Sequence, residues 1–590
     1  MALPVVHSCV HTMRNLLQKL RVQLILGVFL ALSCPALAAA PALARTAIGT
    51  AAVAAPDRYA ALAAETVLRR GGNAVDAAVA TAFVLAVTFP EAGNLGGGGF
   101  ITLKMGEELR FLDFREVAPL AATRDMYLDA KGQPIVGASL VGHRAAGVPG
   151  TVAGLWEAHR RYGSRSWREL LQPAIELARE GFVPERKLAE GVADSLPDFA
   201  EKTNFARYFA PIVEHAKAGS RFRQPELART LQRIAATGSP GFYSGHTAKL
   251  ITEEMSRGGG LISAADLAAY RPIWRDPLIT RWRDYTVVSA PPPSSGGIAL
   301  VQMLRMKDLR ADDFRDVPHN SAKYVHLVAE ISKRVFADRA EYLGDPDFVD
   351  VPAARLISED YLRRRAAEVR TDAISALPAV KPGLAESPNT THFSILDGSG
   401  NAVALTYTLN GGFGNGVVVA GAGFLLNNEM DDFSTKPGVP NLFGVVGGKA
   451  NEIAPGKRML SSMTPTLLLA DGHVRMVIGT PGGSTIFTGI FQTIVNRLDF
   501  GMSAADAVAA TRFHHQLLPP NLIVHSRCCT LGDAATASGL SALGYDVRRS
   551  PWEFGDIQII DVDANGQISA AADPRGRGTT RIFEARTRLH

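Results

Sequence analysis

Two adjacent threonines stand where a loop meets a patterned segment, and a threonine hydroxyl can act as a nucleophile when a base lies beside it. Thr390 and Thr391 begin the run TTHFSIL, while Ala376–Asn389 before them carries three prolines and no hydrophobic periodicity. Such a proline-rich segment is typical of an accessible loop. If the Asn389–Thr390 bond is cut, the new α-amine has a pKa of about 7.7–8.0 and can serve as base for its own hydroxyl. The pattern favours a chain that cuts itself here, although residue chemistry does not choose between the two threonines.

A second chemical feature is the turn PGGS at residues 481–484, between a predicted strand and a predicted helix. Gly482 and Gly483 let the backbone approach a ligand closely, and a helix start presents unpaired N–H groups towards negative charge. Two such donors would stabilise the oxyanion of an acyl-transfer intermediate, where losing one donor costs about 3 kcal/mol of barrier. An ordinary strand-to-helix turn has the same sequence, so the pattern alone leaves that alternative open.

Charged and hydroxyl side chains in three further segments could hold a zwitterion. Arg115 lies in DFREVAP, Glu429 and Asp432 lie in NNEMDDF, and Ser461 and Ser462 lie in LSSMTP. A guanidinium matches a carboxylate with two parallel hydrogen bonds, and carboxylates suit an ammonium group. Taken singly, each of these residues is more typical of a solvated surface position or a cap.

Other catalytic classes find no support in the sequence. A Gly-x-Ser-x-Gly elbow, a His-Glu-x-x-His motif and a Cys-x-x-Cys pair are absent. His514 and His515 have no carboxylate or cysteine at metal-ligand spacing. The glycine run NLGGGG lacks the Lys-Ser/Thr ending of a phosphate-binding loop and leads into a strand, so we expect close backbone packing there. We expect no metal, no organic cofactor and, because the net charge is only +5, no nucleic-acid partner.

Few elements must position these residues, and the clearest is a hairpin from Asn389 to Asn410. Two alternating apolar and polar runs flank a DGSGN turn, a pattern that predicts paired strands. With Gly400 in a left-handed conformation at a three-residue turn, Thr390 lies directly opposite Thr408. A register shift of one residue would move Thr408 to the other face, so this pairing depends on the turn.

Helical and extended patterns elsewhere predict mixed α and β structure. The chain is mainly helical between Gly150 and Arg370, and strand patterns dominate after Thr390. Particular elements are helices over 54–70, 74–87 and 322–343, and hairpins over 464–480 and 556–574. Hairpins pair antiparallel strands, so the expected fold class is α+β with antiparallel sheets.

Residues 1–38 have the pattern of an export signal. Basic residues between Arg14 and Arg21 precede an apolar core, Val22–Ser33, which is too short to span a bilayer. Small residues at 36–38 or 42–44 offer a cleavage site, and an uncleaved anchor is the alternative. We therefore expect a periplasmic or secreted protein with no stable membrane span.

Cysteines contribute little to the expected stability. Cys9 and Cys34 would leave with the signal, so only the neighbours Cys528 and Cys529 remain. A disulfide between neighbours is strained, because bonded cysteines normally have Cα atoms about 5.5 Å apart. We expect the hydrophobic core, and not a disulfide, to stabilise the exported chain.

Together these segments resemble the γ-glutamyltransferase family of N-terminal-nucleophile hydrolases, also called γ-glutamyltranspeptidases or glutathione hydrolases. The resemblance runs from about Thr46 to the C-terminal Ala-Asp-Pro-Arg stretch. It rests on motifs in this order: GGNAVDAAVA, DFREVAP, GVPGTVAG, TTH, TYTLN, LLNNEMDDFS, KPGVPN, LSSMTPT, PGGS and RFHHQ. The resemblance implies a four-layer αββα sandwich made from one precursor, which is cut into a large subunit (39–389) and a small subunit (390–590).

The resemblance also implies roles for individual residues. Thr390 is similar to the family's nucleophile, with its own α-amine as base and Thr408 as the supporting hydroxyl. The backbone N–H groups of Gly482 and Gly483 resemble an oxyanion hole. Ligands for the α-carboxylate and α-amino groups of a substrate are implied at Arg115, Ser461 and Ser462 and at Asn410, Glu429 and Asp432.

A departure from the family's pattern lies in the loop from Pro437 to Gly448, which is similar to a lid over the substrate. Some members place a tyrosine where this chain has Phe443, and that hydroxyl bonds a partner such as Asn410. Phenylalanine can pack there but cannot make the bond.

The resemblance implies an exported, self-processed enzyme. Thr390 would attack the γ-amide of glutathione or another γ-glutamyl compound, and water or an amino-acid or peptide acceptor would resolve the ester. The two subunits would stay together as a heterodimer, with no cofactor. Two alternatives are a related acylase acting on cephalosporin-type or glutaryl side chains, and a non-catalytic exported amino-acid-binding protein that stays uncut.

Overall fold

The computed structural model describes residues 46–376, 390–436 and 447–588, together with 438–439, 441–442 and 444–445. The strands in chain order are β1 (Thr46–Ala55), β2 (Gly98–Met105), β3 (Glu108–Asp113), β4 (Ile273–Arg275), β5 (Leu278–Trp282), β6 (Tyr285–Ser289), β7 (Thr390–Leu396), β8 (Ala402–Thr408), β9 (Thr466–Ala470), β10 (His473–Gly479), β11 (Phe513–His514), β12 (Leu522–His525), β13 (Asp546–Arg549), β14 (Gln558–Val562), β15 (Ile568–Ala572) and β16 (Thr579–Arg588).

Helices fill most of the chain between β3 and β7 and recur after β10. In chain order they are α1 (Arg58–Arg69), α2 (Ala74–Thr88), α3 (Thr151–Tyr162), α4 (Trp167–Glu180), α5 (Arg186–Phe199), α6 (Phe205–Phe209), α7 (Pro211–Ala218), α8 (Pro225–Thr237), α9 (Pro240–Tyr243), α10 (Gly245–Gly258), α11 (Ala264–Ala269), α12 (Gly296–Leu309), α13 (Ala311–Phe314), α14 (Ala322–Tyr342), α15 (Ala353–Leu356), α16 (Glu359–Ala367), α17 (Thr485–Leu498), α18 (Ala504–Ala509) and α19 (Ala534–Ala542). Among the described residues, no helix has both the length and the apolar character needed to cross a bilayer.

Two large sheets carry the fold. One has seven strands in the order β16-β1-β7-β8-β2-β3-β4, and the other has six in the order β15-β14-β10-β9-β6-β5. The pairings between β1 and β7, β7 and β8, β2 and β8, and β9 and β10 are all antiparallel. A small third sheet joins β11, β12 and β13. The predicted class, mixed α and β with antiparallel sheets, is confirmed.

The two large sheets pack face to face, with helices outside each. Small residues of the seven-stranded sheet, such as Ala52 and Ala404, share a buried cluster with Leu467 and Val477 of the other sheet. The opposite face of the seven-stranded sheet packs against α2, and that of the six-stranded sheet packs against α12 and α17. This order of layers is the expected αββα sandwich, since each sheet must bury both of its faces.

The predicted hairpin is present at the centre of the seven-stranded sheet. β7 and β8 pair with Thr390 opposite Thr408. Gly400 has a φ of 81°, which is the left-handed conformation that the three-residue turn requires. The bulky side chains, Phe393 among them, face α2, whereas Ala402 faces the other sheet. The predicted register is therefore confirmed.

The glycine run before β2 serves close packing, as predicted. A Cβ on Gly99 would lie 2.4 Å from the carbonyl oxygen of Thr406, and one on Gly98 would lie 2.5 Å from that of Phe114. Only a hydrogen fits between these backbones. Helices predicted over 74–87 and 322–343 are confirmed as α2 and α14, and the predicted hairpins are β9–β10 and β14–β15.

Three sequence predictions were wrong in part. The helix predicted from residue 54 begins only at Arg58, because β1 occupies Thr46–Ala55 and Asp57 caps the helix. The mainly helical region also contains the strands β4 to β6. Cys528 and Cys529 are joined in a disulfide, which was not expected between neighbours. It joins two adjacent residues of one loop and links no distant elements.

Candidate active site

One small cavity at the end of the β7–β8 hairpin brings together most of the predicted site residues. The predicted residues that line it are Arg115, Thr390, Thr408, Asn410, Glu429, Asp432, Ser461, Ser462 and Gly483. Gly482 precedes the last of these directly in the chain. Asn389 and Phe443 lie outside the described residues. The sequence placed these groups in six separate segments, and the sandwich joins them.

Thr390 is held by Thr408 on the neighbouring strand. The Thr390 hydroxyl donates to Thr408 Oγ1 at 3.3 Å, and that oxygen also accepts the N–H of Asn410 at 2.7 Å. Thr390 is buried. Because successive residues of a strand face opposite sides, Thr391 points away from this cavity, which it does not line. The geometry therefore favours Thr390 over Thr391, a choice that residue chemistry could not make.

The Pro-Gly-Gly turn after β10 presents free backbone donors. Gly482 and Gly483 have φ angles of 137° and 54°, conformations that a residue with a Cβ adopts only with strain. The carbonyl of Gly482 accepts the N–H of Thr485 at 2.9 Å, so α17 begins directly after the turn. Neither glycine N–H donates to any other residue in the described part of the chain. These two groups can therefore bind an anionic oxygen at the start of a helix.

A buried ion cluster lies at the other end of the cavity. Arg115, just after β3, is paired with both Glu429 and Asp432, and it is 1% exposed. Burial alone would lower the pKa of Arg115. The neighbouring carboxylates outweigh that effect and raise this pKa above its ordinary value. Burial also raises the pKa of Glu429 and of Asp432, against the opposing effect of Arg115. The groups predicted to hold opposite ends of a zwitterion are thus neighbours that pair with each other.

Glu116 adds a third carboxyl to this cluster, and the sequence reasoning missed it. It is fully buried with one oxygen 3.8 Å from Arg115, and neither oxygen has a hydrogen-bond partner among the described residues. Burial raises the pKa of Glu116 to about 8, although Arg115 opposes the shift. Glu116 is therefore largely protonated at neutral pH. Glu429 and Asp432 alone outnumber Arg115, so the cluster can accept an added cation.

Ser461 and Ser462 lie beside a second buried cation, Arg339. Arg339 Nη2 donates to Ser462 Oγ at 3.3 Å, and its Nε donates to Ser295 Oγ at 3.1 Å. Ser461 Oγ accepts the N–H of Met463 at 3.1 Å. Arg339 belongs to α14 and lines the cavity, but the sequence reasoning missed it. A basic residue on the buried face of an amphipathic helix is the signal that could have found it.

The residues Asn441, Leu442, Gly444 and Val445, here called the lid segment, contact the acidic end of the cavity. Asn441 Nδ2 donates to Asp432 Oδ1 at 3.2 Å, and the Leu442 N–H donates to Asp431 Oδ2 at 2.7 Å. Val445 lines the cavity itself. The segment therefore lies against the ion cluster, and its action as a lid stays a prediction. Phe443, where the sequence departs from the family's tyrosine, lies outside the described residues.

Comparison with known proteins identifies the family to which this arrangement belongs. A family model described as gamma-glutamyltranspeptidase matches residues 60–583. The chain belongs to the gamma-glutamyltranspeptidase family. A glutathione hydrolase proenzyme from Pseudomonas aeruginosa is 58% identical to this transpeptidase-family chain, over 89% of this chain and 93% of that protein.

Solved structures of related enzymes share the fold. The match to a cephalosporin acylase from Bacillus halodurans covers 93% of this chain and 98% of the acylase chain, with a TM-score of 0.78 and 26% identity. A gamma-glutamyltranspeptidase from Pseudomonas nitroreducens, complexed with L-DON, is 55% identical and has a TM-score of 0.53. That match covers 55% of this chain and 95% of the other. The family and the N-terminal-nucleophile hydrolase fold expected from the motifs are confirmed, and the chain is an enzyme, so the non-catalytic alternative is wrong.

Proposed function

We propose that this gamma-glutamyltranspeptidase-family enzyme is a precursor that cuts itself between Asn389 and Thr390 and then transfers or hydrolyses γ-glutamyl groups. The observation that carries the proposal is the position of the Thr390 hydroxyl. It is bonded to Thr408 in one cavity that also holds the buried Arg115 cluster and the free N–H of Gly483. A nucleophile, an anion-binding turn and groups for a zwitterion are the parts that such a reaction needs.

The proposed reaction begins with attack of Thr390 Oγ1 on the γ-amide carbonyl of glutathione or another γ-glutamyl compound. The hydroxyl proton passes to the α-amine that cleavage frees, and the carbonyl oxygen becomes an oxyanion. The N–H groups of Gly482 and Gly483 would bind that oxygen. The intermediate collapses as the ammonium returns its proton to the leaving amine, which for glutathione is Cys-Gly. Water or an amino-acid or peptide acceptor then attacks the γ-glutamyl ester and restores Thr390.

The substrate's head group would bind by exchanging partners within the ion cluster. Its α-carboxylate would take the guanidinium of Arg115 together with Ser461 and Ser462. Its α-ammonium would then face Glu429 and Asp432, with Asn410 at the same end. The substrate's ammonium would replace Arg115 as the partner of Glu429 and Asp432, and Arg115 would pair with the substrate's carboxylate, so that no buried charge is left without a partner.

Maturation completes the proposal. Residues 1–38 would be removed on export to the periplasm or the exterior, and 39–389 and 390–590 would remain associated as large and small subunits. The purified protein should then give two bands, and the smaller fragment should begin TTHFS. Thr390→Ala should remain a single, inactive chain. An intact and active Thr390→Ala protein would refute the proposal.

An acylase activity is the second candidate, and the likeness to a cephalosporin acylase over 93% of this chain supports it. The two activities differ at the ammonium end of the substrate. A γ-glutamyl anilide carries the α-amine that Glu429 and Asp432 would bind, whereas a glutaryl anilide lacks it. Equal kcat/KM for both compounds would show that these carboxylates do not select the donor and would favour the acylase.

A further inference from the structure

Gln516 lies between the lid segment and the turn that would form the oxyanion hole. Its Oε1 accepts the hydroxyl of Ser484 at 2.9 Å, and Ser484 follows Gly483 directly. Its Nε2 donates to the carbonyl of Gly444 at 3.2 Å. One amide group therefore bonds the two structures at once, with each of its polar atoms in its proper role.

The lid segment is held differently at its two ends. Asn441 and Leu442 are bonded to Asp432 and Asp431, at the end of the cavity where the substrate's ammonium would bind. Gly444, at the far end, is bonded to Gln516. Gln516 therefore completes a bridge that runs from the acidic end of the cavity, over the lid segment, to the start of α17.

The Gln516 side chain also contacts His514, which is itself bonded to α17. Nε2 of His514 lies 3.2 Å from Gln516 Oε1, and Nδ1 of the same ring lies 3.0 Å from Thr488 Oγ1 on α17. Burial lowers the pKa of His514 to about 4, so the ring is neutral and adds no charge. Gln492 of α17 also donates to the carbonyl of Phe513 at 2.8 Å. The helix that begins at the Pro-Gly-Gly turn is thus bonded to β11, which ends two residues before Gln516.

We propose that Gln516 is a positioning residue that links Gly444 of the lid segment to Ser484 beside the oxyanion turn, and so holds both in place around the γ-glutamyl group. This inference rests on the proposed function, because it assigns the lid segment to the retention of that group. Loss of this link should weaken donor binding more than it slows chemistry.

Two substitutions distinguish the effect of the Gln516 hydrogen bonds from the effect of its packing. Gln516→Met keeps the volume and removes the hydrogen bonds to Ser484 and Gly444 together with that to His514. It should raise KM for a γ-glutamyl anilide about tenfold while kcat changes about twofold. Gln516→Glu keeps the acceptor for Ser484 but turns a carboxylate towards the Gly444 carbonyl. When protonated, that side chain can donate again. The KM ratio, which is the KM of Gln516→Glu divided by that of the unsubstituted enzyme, should therefore fall towards one at pH 5 and rise at pH 8.

Hydrogen exchange provides a readout that needs no activity. In Gln516→Met, amide exchange in peptides spanning the lid segment should rise, while exchange in β7 and β8 stays unchanged. Gln172→Met, on an exposed face of α4, is the matched control and should alter neither exchange nor KM.

The outcomes are distinguishable. Unchanged lid-segment exchange in Gln516→Met, or a pH-independent KM ratio in Gln516→Glu, would overturn the proposed link. An unsubstituted protein without γ-glutamyl activity would overturn the proposed function, while a rise in lid-segment exchange would still support the contact that Gln516 makes.

Discussion

Replacing Arg115 with methionine removes the sole cation within ion-pair distance of Glu429 in the described part of the chain. Methionine fills a similar volume, so the change is mainly one of charge. Both Arg115 and Glu429 are 1% exposed. A buried carboxylate that loses its partner destabilises a protein by about 3–5 kcal/mol. We expect a loss of this size in the free energy of unfolding at pH 8.

The pH dependence of this loss has a definite sign. Burial already raises the pKa of Glu429 and of Asp432, and removal of the guanidinium raises both further. A carboxyl whose pKa is raised in the folded state binds its proton more tightly there than in the unfolded chain. The stability that this carboxyl contributes to the folded protein is therefore fully present below the unfolded pKa of about 4.3. That contribution is lost as pH rises towards the folded pKa. The deficit of Arg115→Met should be smallest near pH 5 and largest near pH 8.

Activity should fall for a second reason. The guanidinium would make two charge-assisted hydrogen bonds to the substrate's α-carboxylate, and each contributes about 1.5–3 kcal/mol. Loss of both should lower kcat/KM for a γ-glutamyl anilide by about 10²–10⁴-fold, chiefly through KM.

Denaturant unfolding at pH 5 and pH 8, with steady-state kinetics, measures both effects. Glu429→Gln in the same chain should recover part of the lost stability, because it removes the unpaired charge. Arg124→Met is the control, since Arg124 forms exposed ion pairs with Asp125 and Glu452 and should have no measurable effect. An unchanged KM, or a deficit that grows towards pH 5, would refute this account of the cluster.

Three further substitutions have expected outcomes that follow from contacts described above. Thr408→Val leaves the buried N–H of Asn410 without its acceptor, so it should cost about 1–3 kcal/mol of stability in denaturant unfolding and lower kcat at least about tenfold. In the unsubstituted protein, Glu116 loses a stabilising proton as pH rises towards its folded pKa of about 8, so the free energy of unfolding falls between about pH 5 and pH 8. Glu116→Gln cannot lose that proton and should make this fall smaller. Gly99→Ala should lower the stability by about 1–3 kcal/mol or prevent folding, since its methyl would meet the Thr406 carbonyl, whereas Gly191→Ala, in open space on α5, should not.

The sequence predicts well those parts of the fold that depend on local pattern. The hairpin of β7 and β8 was predicted with its register, because an alternating period of two and a left-handed Gly400 leave one pairing that buries the right face. α2 was predicted because its residues are apolar on nearly all sides, and in the structure Asn73 caps its start.

The parts that escaped prediction are set by distant packing. β1 is rich in alanine, a strong helix former, and it is extended because its small side chains fit between two sheets. Glu116 joins the ion cluster only because the chain after β3 packs there, and no local pattern marks it, whereas Arg339 is marked only by its place on the buried face of α14. The pairing of Arg115 with Glu429 joins residues 314 positions apart, which no spacing rule reaches.

The order of strands in the seven-stranded sheet has a consequence for the life of the enzyme after cleavage. β16, β7 and β8 come from residues 390–590, and β1 and β2 to β4 come from residues 39–389, so the proposed subunits alternate across one hydrogen-bonded sheet. The six-stranded sheet crosses the same boundary between β9 and β6. After a cut at Thr390, neither fragment would therefore form a folded unit of its own, and the two could separate only by unfolding. Folding is unimolecular before the cut and bimolecular after it, so refolding of the mature enzyme should depend on protein concentration, whereas that of the uncut chain should not.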